Sequence, residues 1–312
     1  MPVKNNTKLS NTPPPKKLAL VNDLAGYGRC SLTVAMPIVS QLGVQCCPVP
    51  TAVFSNHTGY PVWHMTDYTK ELPDYLAAWK QLDFSFDGIL TGFLGNQAQA
   101  NIIRQFLRDF KKTNTLYILD PAMGDHGKAY ATCGKEIQES MRSLVALADV
   151  VTPNVTEACL LTDTPYRPDF TKKELIQMAE KLLKMGSKQV VITGIPCKGY
   201  IGNLCMTDMN VPSGGKPLPE NAHRQEKEAA TLLRSRKVTQ SRHGTGDIFS
   251  AILAAELLKE TSDEGLAFRQ ETLTAAVRKA AAFVRKCLLV SDAANVPETE
   301  GVCFEKILYQ LK

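Results

Sequence analysis

Residues 243–247 read His-Gly-Thr-Gly-Asp, and the run from Ile248 to Leu258 that follows is apolar on nearly every face. Such a run is expected to form a buried helix. A Gly244-Thr245-Gly246 turn entering it would aim unpaired backbone N–H groups, and the positive end of the helix dipole, at one point. That point is suited to an anion, with the Asp247 carboxylate beside it. Taken alone, the same residues read equally as a glycine-rich turn capped by Asp247. Two further segments carry acids. Asp120-Pro121-Ala122-Met123-Gly124-Asp125 sets two carboxylates on Pro- and Gly-shaped backbone. They suit Mg²⁺ held through water, or a monovalent cation; the plainer alternative is an Asx turn with a helix cap. Thr152-Pro153-Asn154-Val155-Thr156-Glu157 puts Glu157 in the first turn of a helix. There it either caps the dipole or positions Mg²⁺ and its waters.

The elements that must position these groups alternate along the chain. Candidate strands are Leu18–Asn22, Gln45–Val53, Asp87–Thr91, Leu116–Asp120, Asp149–Thr152, Gln189–Thr193 and Tyr200–Met206. Helix-like segments lie near 31–42, 67–81, 97–111, 134–147, 155–162 and 171–185. Several strands are continuous apolar runs, as in a sheet covered on both faces. The pattern predicts an α/β fold: three αβα layers around a mostly parallel, doubly wound sheet. Ligands bind such sheets beyond the carboxyl ends of the strands. The polar signatures fall there: Asn22-Asp23, Thr91-Gly92, Asp120-Pro121, Thr152-Pro153-Asn154 and Thr193-Gly194. Residues 1–16 have no periodicity and predict a disordered tail. Residues 211–236 interrupt the alternation with a polar, initially Pro/Gly-rich stretch, either a flap over the site or a surface loop.

Composition excludes several classes. At 312 residues, 44% hydrophobic and 21% charged, the chain is that of a soluble globular protein. Its net charge of +5 is mild and scattered, apart from Arg234, Arg236 and Lys237. No aromatic residues interleave that cluster, so a solvated loop or a grip on phosphates is expected rather than nucleic acid. The nine cysteines show no Cys-x-x-Cys spacing, which with the lack of a leader pattern predicts a reducing, cytoplasmic setting. No apolar run approaches the roughly 20 residues of a membrane span. A Gly-x-x-x-x-Gly-Lys-Ser/Thr loop is absent, Gly26-x-Gly28 lacks the third glycine of a dinucleotide fingerprint, and protein-kinase signatures are missing.

Taken together, the motifs resemble those of the ribokinase-like kinases, and within them the pyridoxal (vitamin B6) kinase branch. Phe54-Ser55-Asn56-His57-Thr58-Gly59-Tyr60 is similar to that branch's substrate-side motif. DPAMGD (120–125), TPNVTE (152–157) and GTGD (244–247) resemble its cation and anion-hole motifs, over a span from about Lys17 to the C-terminal helix. The resemblance implies one kinase domain over 17–312, ATP and Mg²⁺ with a K⁺ site, a B6 vitamer as substrate, and a homodimer. It implies Asp247 as the base acting on the 5′-hydroxymethyl group, and Gly244, Thr245 and Gly246 as the cradle of the transferring phosphoryl group. Asp120, Asp125 and Glu157 would organise Mg²⁺, joined by Thr152 and Thr193 for K⁺. Asp120, Asn154, Glu157, Thr193 and Gly194, with Thr245 and Gly246, would face ATP. Asn22, Asp23, Phe54, His57, Thr58 and Phe93 would line the acceptor pocket. For His57, a satisfied loop or core histidine is the plainer alternative.

The sequence also departs from the branch, where Ser is common at the end of the first strand, here the pair Asn22-Asp23, and Tyr in place of Phe93. A pocket Asp23 would favour a cationic aminomethyl group, so pyridoxamine is expected to serve at least as well as pyridoxal. The competing expectations are a hydroxymethylpyrimidine or other small-alcohol kinase of the same fold, and a non-catalytic vitamer-binding protein.

Overall fold

The computed structural model describes residues 13–208, 230–261 and 265–312. The first half runs β1 (Lys17–Tyr27), α1 (Ser31–Gln41), β2 (Gln45–Asn56), β3 (Met65–Asp67), α2 (Leu72–Gln81), β4 (Gly88–Thr91), α3 (Gln97–Phe110) and β5 (Leu116–Leu119). A small hairpin, β6 (Gly124–Asp125) and β7 (Lys128–Ala129), precedes α4 (Lys135–Val145), β8 (Val150–Val151), α5 (Val155–Thr162) and α6 (Lys172–Met185). The chain ends with β9 (Gln189–Cys197), β10 (Tyr200–Thr207), β11 (Ala230–Arg236), α7 (Thr245–Lys259) and α8 (Gln270–Ala293).

Strand order in the main sheet is β11-β10-β9-β8-β5-β4-β1-β2-β3. Pairs from β2 through β9 are parallel, and antiparallel strands close both edges. The expected mostly parallel three-layer sheet is therefore borne out. Successive side chains of a strand face opposite layers, and the core shows it. Ala19, Val21, Ile89, Tyr117, Leu119, Val151 and Val190 pack toward α2–α6. Leu18, Leu20, Leu90, Leu116, Ile118, Val150 and Val191 pack toward α1, α7 and α8. Two buried faces explain why these strands read as unbroken apolar runs.

Several expected boundaries move. The helix expected from 67 begins at Leu72, because Met65–Asp67 pair with Ala52–Phe54 as an edge strand. Asp67 then turns the chain by accepting the Thr69 N–H at 2.7 Å. β1, β2 and β9 run past their expected ends, to Tyr27, Asn56 and Cys197. Of the expected 211–236 insertion, Ala230–Arg236 form β11, paired along β10; 211–229 lie outside the described residues. Of the expected 1–16 tail, residues 1–12 also lie outside them, and Lys16 Nζ donates to Leu258 O at 2.8 Å.

Candidate active site

The parallel register sets strand ends side by side. Gly92 N–H bonds to Val21 O, Asp120 N–H to Thr91 O, and Thr152 N–H to Leu119 O, at 2.8, 2.8 and 3.0 Å. Asn154 and Thr193 form an isolated parallel bridge beyond β8 and β9. Asn22, Asp120, Asn154 and Thr193 thus stand along one edge of the sheet, and α7 points its N-terminus at that edge.

Gly244 is the N-cap of α7, with φ 83. A Cβ on it would lie 2.1 Å from Arg29 O, so both conformation and space demand glycine there. The first intrahelical bond is Ile248 N–H to Gly244 O at 3.0 Å, and no side chain caps this end. Helix geometry leaves the Thr245 and Gly246 N–H groups without intrahelical acceptors. Gly246 is exposed, and nothing lies within 4 Å of where its Cβ would be.

Asp247 follows in the first turn. Asn22 Nδ2 donates to its Oδ1 at 3.3 Å, and the Ser31 N–H donates to its carboxylate as well. Burial holds this acid above the usual carboxylate range. Ser31, with φ 53, is a non-glycine residue in the left-handed region, a conformation that persists only where surrounding contacts enforce it. Asp120 lines the same small cavity as Asn22, Asp247 and Ser250. Burial, and then the charge of Asp247, pushes it up to about 7, against a hydrogen bond from Ser250.

Glu157 is buried and completes a capping box: Oε2 accepts the Asn154 N–H at 2.8 Å, while Asn154 Oδ1 accepts the Glu157 N–H at 3.0 Å. Its Oε1 accepts Met123 N–H at 3.1 Å. Both readings of this residue therefore meet in one side chain. It caps α5, and it stands as a second buried acid whose proton affinity is raised by burial and by Asp120.

Other expected site residues are placed differently. Asp125 leaves the strand end for the β6–β7 turn, where it is half-exposed and accepts the His126 N–H at 2.7 Å. The hairpin requires this: His126 and Gly127 take φ 49 and 77. Thr152 is 3% exposed, its hydroxyl directed at Leu119 O. Thr193 is half-buried and Gly194 exposed, with φ 66. Asp23 is 7% exposed and takes a hydrogen bond from the Ser31 hydroxyl. Burial pushes it up to about 6, opposed by Ser31 and assisted by Asp247. The open pocket acid expected at 23 is thus a buried acid tied to the start of α1.

The expected acceptor residues divide. Phe54 and Phe93 meet edge to face at 6.0 Å, and Trp63 stands 5.9 Å from Phe54. Asn22 Oδ1 accepts the Phe93 N–H at 2.9 Å, so this aromatic wall is one side chain away from Asp247. Thr58 is exposed. His57 is committed to the protein: its Nδ1 accepts the Gly59 N–H at 3.1 Å, and its Nε2 is 2.6 Å from Thr299 O. With Nδ1 accepting, Nε2 is the nitrogen placed to donate to Thr299 O. The ring stacks on His243 at 4.1 Å and Tyr60 at 4.8 Å. The plainer reading of His57 describes this geometry, with the ring joining the substrate-side loop to the turn before α7.

Sequence reasoning passed over Ser31, Ser250 and Trp63, and gave His243 no role of its own. Ser250 had a signal, since it lies three residues after Asp247 and shares its helix face. Ser31 had none, because its role follows from its backbone conformation.

For a divalent cation, no three His, Cys, Asp or Glu side chains converge on one point among the described residues. Asp120, half-buried, and Glu157, buried, are nevertheless two carboxylates each raised partly by a neighbouring acid. Neither forms an ion pair with a described cation. Such hard oxygen donors fit Mg²⁺ held largely through water.

The sequence model of the phosphomethylpyrimidine kinase family matches residues 36–301. The chain belongs to that family. It is 32% identical over 248 residues to a pyridoxine/pyridoxal/pyridoxamine kinase of Bordetella avium, covering 76% of each chain. It is 33% identical over 219 residues to a hydroxymethylpyrimidine/phosphomethylpyrimidine kinase of Haemophilus influenzae, covering 70% of each. Among solved structures it resembles a Bacteroides thetaiotaomicron protein described as a phosphomethylpyrimidine kinase and crystallised with pyridoxal. The TM-score is 0.83 at 33% identity, over 95% of this chain and 96% of that one. The pyridoxal kinase of Lactobacillus plantarum shares the fold, with a TM-score of 0.79 at 24% identity over 95% and 96% of the two chains. The chain is a kinase of the ribokinase-like fold, related to the pyridoxal kinases. No helix among the described residues is long and apolar enough to cross a membrane.

Proposed function

We propose that this kinase transfers the γ-phosphoryl group of ATP to the 5′-hydroxymethyl group of a B6 vitamer. The observation that carries the reading is the placement of Asp247. It is a half-buried carboxylate oriented by Asn22 and Ser31, in the same helical turn as N–H groups with no intrahelical acceptor, and one side chain from the Phe54–Phe93 wall. The pyridoxal seen in the Bacteroides structure and the activity named for the Bordetella relative support a B6 acceptor.

In this reading Asp247 takes the hydroxyl proton as the 5′ oxygen bonds to the γ-phosphorus and the bond to the ADP oxygen breaks. Burial, which raises its proton affinity, suits a base that must accept a proton. The N–H groups of Thr245 and Gly246, at the turn Gly244 makes possible, stabilise charge on the equatorial oxygens in transit. Asn154, Thr193 and Gly194 stand along the strand-end edge where the rest of the triphosphate would lie. Asp120 and Glu157 would hold Mg²⁺, which when bound neutralises charge between the phosphates. The exposed Asp125 is left to act through water, and Thr193 is the more accessible hydroxyl for K⁺. The homodimer and the cytoplasmic setting belong to the same proposal.

The Haemophilus relative and the family match favour one second reading, in which hydroxymethylpyrimidine is the acceptor. A single panel separates them: pyridoxal, pyridoxamine, pyridoxine and hydroxymethylpyrimidine, each with Mg-ATP, with and without K⁺. Turnover of the vitamers, lost in Asp247→Asn, is the expected result. Turnover of hydroxymethylpyrimidine alone would replace the first reading with the second. Because Asp23 is enclosed and bonded to Ser31, discrimination between pyridoxamine and pyridoxal is expected to survive Asp23→Asn.

A further inference from the structure

Asn22 reads from sequence as a substrate contact, yet both ends of its amide are engaged by protein. Oδ1 accepts the N–H groups of Asp23 at 3.0 Å and Phe93 at 2.9 Å. A carbonyl oxygen offers two lone pairs, so this one is filled. Two backbone donors from different segments therefore fix the amide plane, and with it the direction of Nδ2. That nitrogen lies 3.3 Å from Asp247 Oδ1. Gly92 closes the seat from below, since a Cβ there would lie 2.7 Å from Nδ2. The partner helix comes from 225 residues further along the chain, so this contact ties the middle of β1 and the turn after β4 to α7.

The geometry points to Asn22 as a positioning residue for phosphoryl transfer: its amide, registered by the Asp23 and Phe93 N–H groups, orients the Asp247 carboxylate relative to the aromatic wall of the acceptor pocket. The inference rests on the proposed role of Asp247 and adds what sets that residue's direction. Because the Ser31 N–H and the N–H of Asp247 itself remain on the carboxylate, loss of Asn22 removes one of three constraints. The base is misdirected but stays in place.

Asn22→Asp tests this most directly. The new side chain keeps an oxygen for both backbone N–H groups, but replaces the donor to Asp247 by an acceptor and adds a carboxylate beside it. Asn22→Ser removes the donor without adding a charge, though it also frees the Asp23 and Phe93 N–H groups, and it carries the test if the first variant folds poorly. With vitamer and Mg-ATP, kcat is expected to fall about 10- to 100-fold, a part of what a general base supplies. The vitamer KM is expected to change less than about threefold, with little change in Tm. A raised KM at unchanged kcat would make Asn22 a substrate contact and overturn the proposal. A Tm collapse in both variants would make it purely structural, with the same consequence. Crystal structures of the wild type and Asn22→Ser give a readout independent of turnover. A rotated Asp247 carboxylate is expected whether or not the Phe93 turn, which loses its acceptor, shifts; an unmoved carboxylate overturns the idea. If the wild type phosphorylates no vitamer, the functional reading fails, while carboxylate orientation still decides the role of Asn22.

Discussion

Two glycines flank Thr245, and replacing each by alanine separates the two meanings of the turn. At Gly244 the added Cβ meets Arg29 O at 2.1 Å with φ held at 83. The left-handed conformation alone costs about 1–2 kcal/mol for an L-residue. The contact is with backbone, so no rotamer change relieves it, and a total near 2–4 kcal/mol is expected within the range of special-backbone mutations. For a domain of this size, that lowers Tm by roughly 3–6 °C. At Gly246 the added Cβ meets nothing within 4 Å, and alanine is the better helix former. Gly246→Ala should therefore melt at or slightly above the wild-type temperature. If the turn cradles a phosphoryl group, however, that methyl projects into the cradle. The loss of one such donor geometry costs about 10²–10³ in rate. Differential scanning fluorimetry paired with kcat/KM for ATP gives both readouts. Gly246→Ala with full activity would refute the cradle, and Gly244→Ala with an unchanged Tm would refute the packing argument.

Asp247→Asn should lower kcat by about 10³-fold or more without lowering Tm, since burial already disfavours the charge it removes; steady-state kinetics and a melt check both. Asp120 is pushed up to about 7 and Asp23 up to about 6, both above their values in an unfolded chain. Their ionisation therefore weighs against the fold above pH 7, and the loss is recovered as pH falls through 7 and 6. Metal-free melts should accordingly rise from pH 8 to pH 5.5 relative to an Asp120→Asn control, and Mg²⁺ should raise Tm more at pH 8 than at pH 6. His57→Ala leaves the Gly59 N–H and Thr299 O without their partner. Both lie on exposed residues that water can reach, so urea unfolding should show a loss of about 1–3 kcal/mol for two hydrogen bonds.

The layers of this fold were legible because their signals are local. Apolar runs marked β4, β5 and β8, and the Asn154-x-x-Glu157 spacing encodes the capping box that starts α5. What stayed hidden depends on partners distant in sequence. β3 is three residues long and exists by pairing with the end of β2. β11 is polar because it lies on an edge. The chemistry divides the same way. Residue types placed Asp247 and Asp120 on one edge, since strand ends and a helix start converge by topology. The side-chain directions of Asn22, Asp23 and His57 follow from hydrogen bonds to Phe93, Ser31 and Thr299, which no spacing rule reports. Asp125 was misplaced because a Gly-Asp pair after a strand reads alike whether it caps a helix or turns a hairpin.

The two-faced sheet has a consequence for biosynthesis. One face is covered by α2–α6, which the ribosome has supplied by Met185. The other keeps only α1 until Thr245 and the residues after it emerge. A nascent chain halted before α7 would present Leu90, Ile118, Val150 and Val191 as a bare apolar surface, the kind of species chaperones bind. The same helix carries Asp247 and seals that surface. A truncated product therefore becomes a client of quality control before it can become a defective kinase.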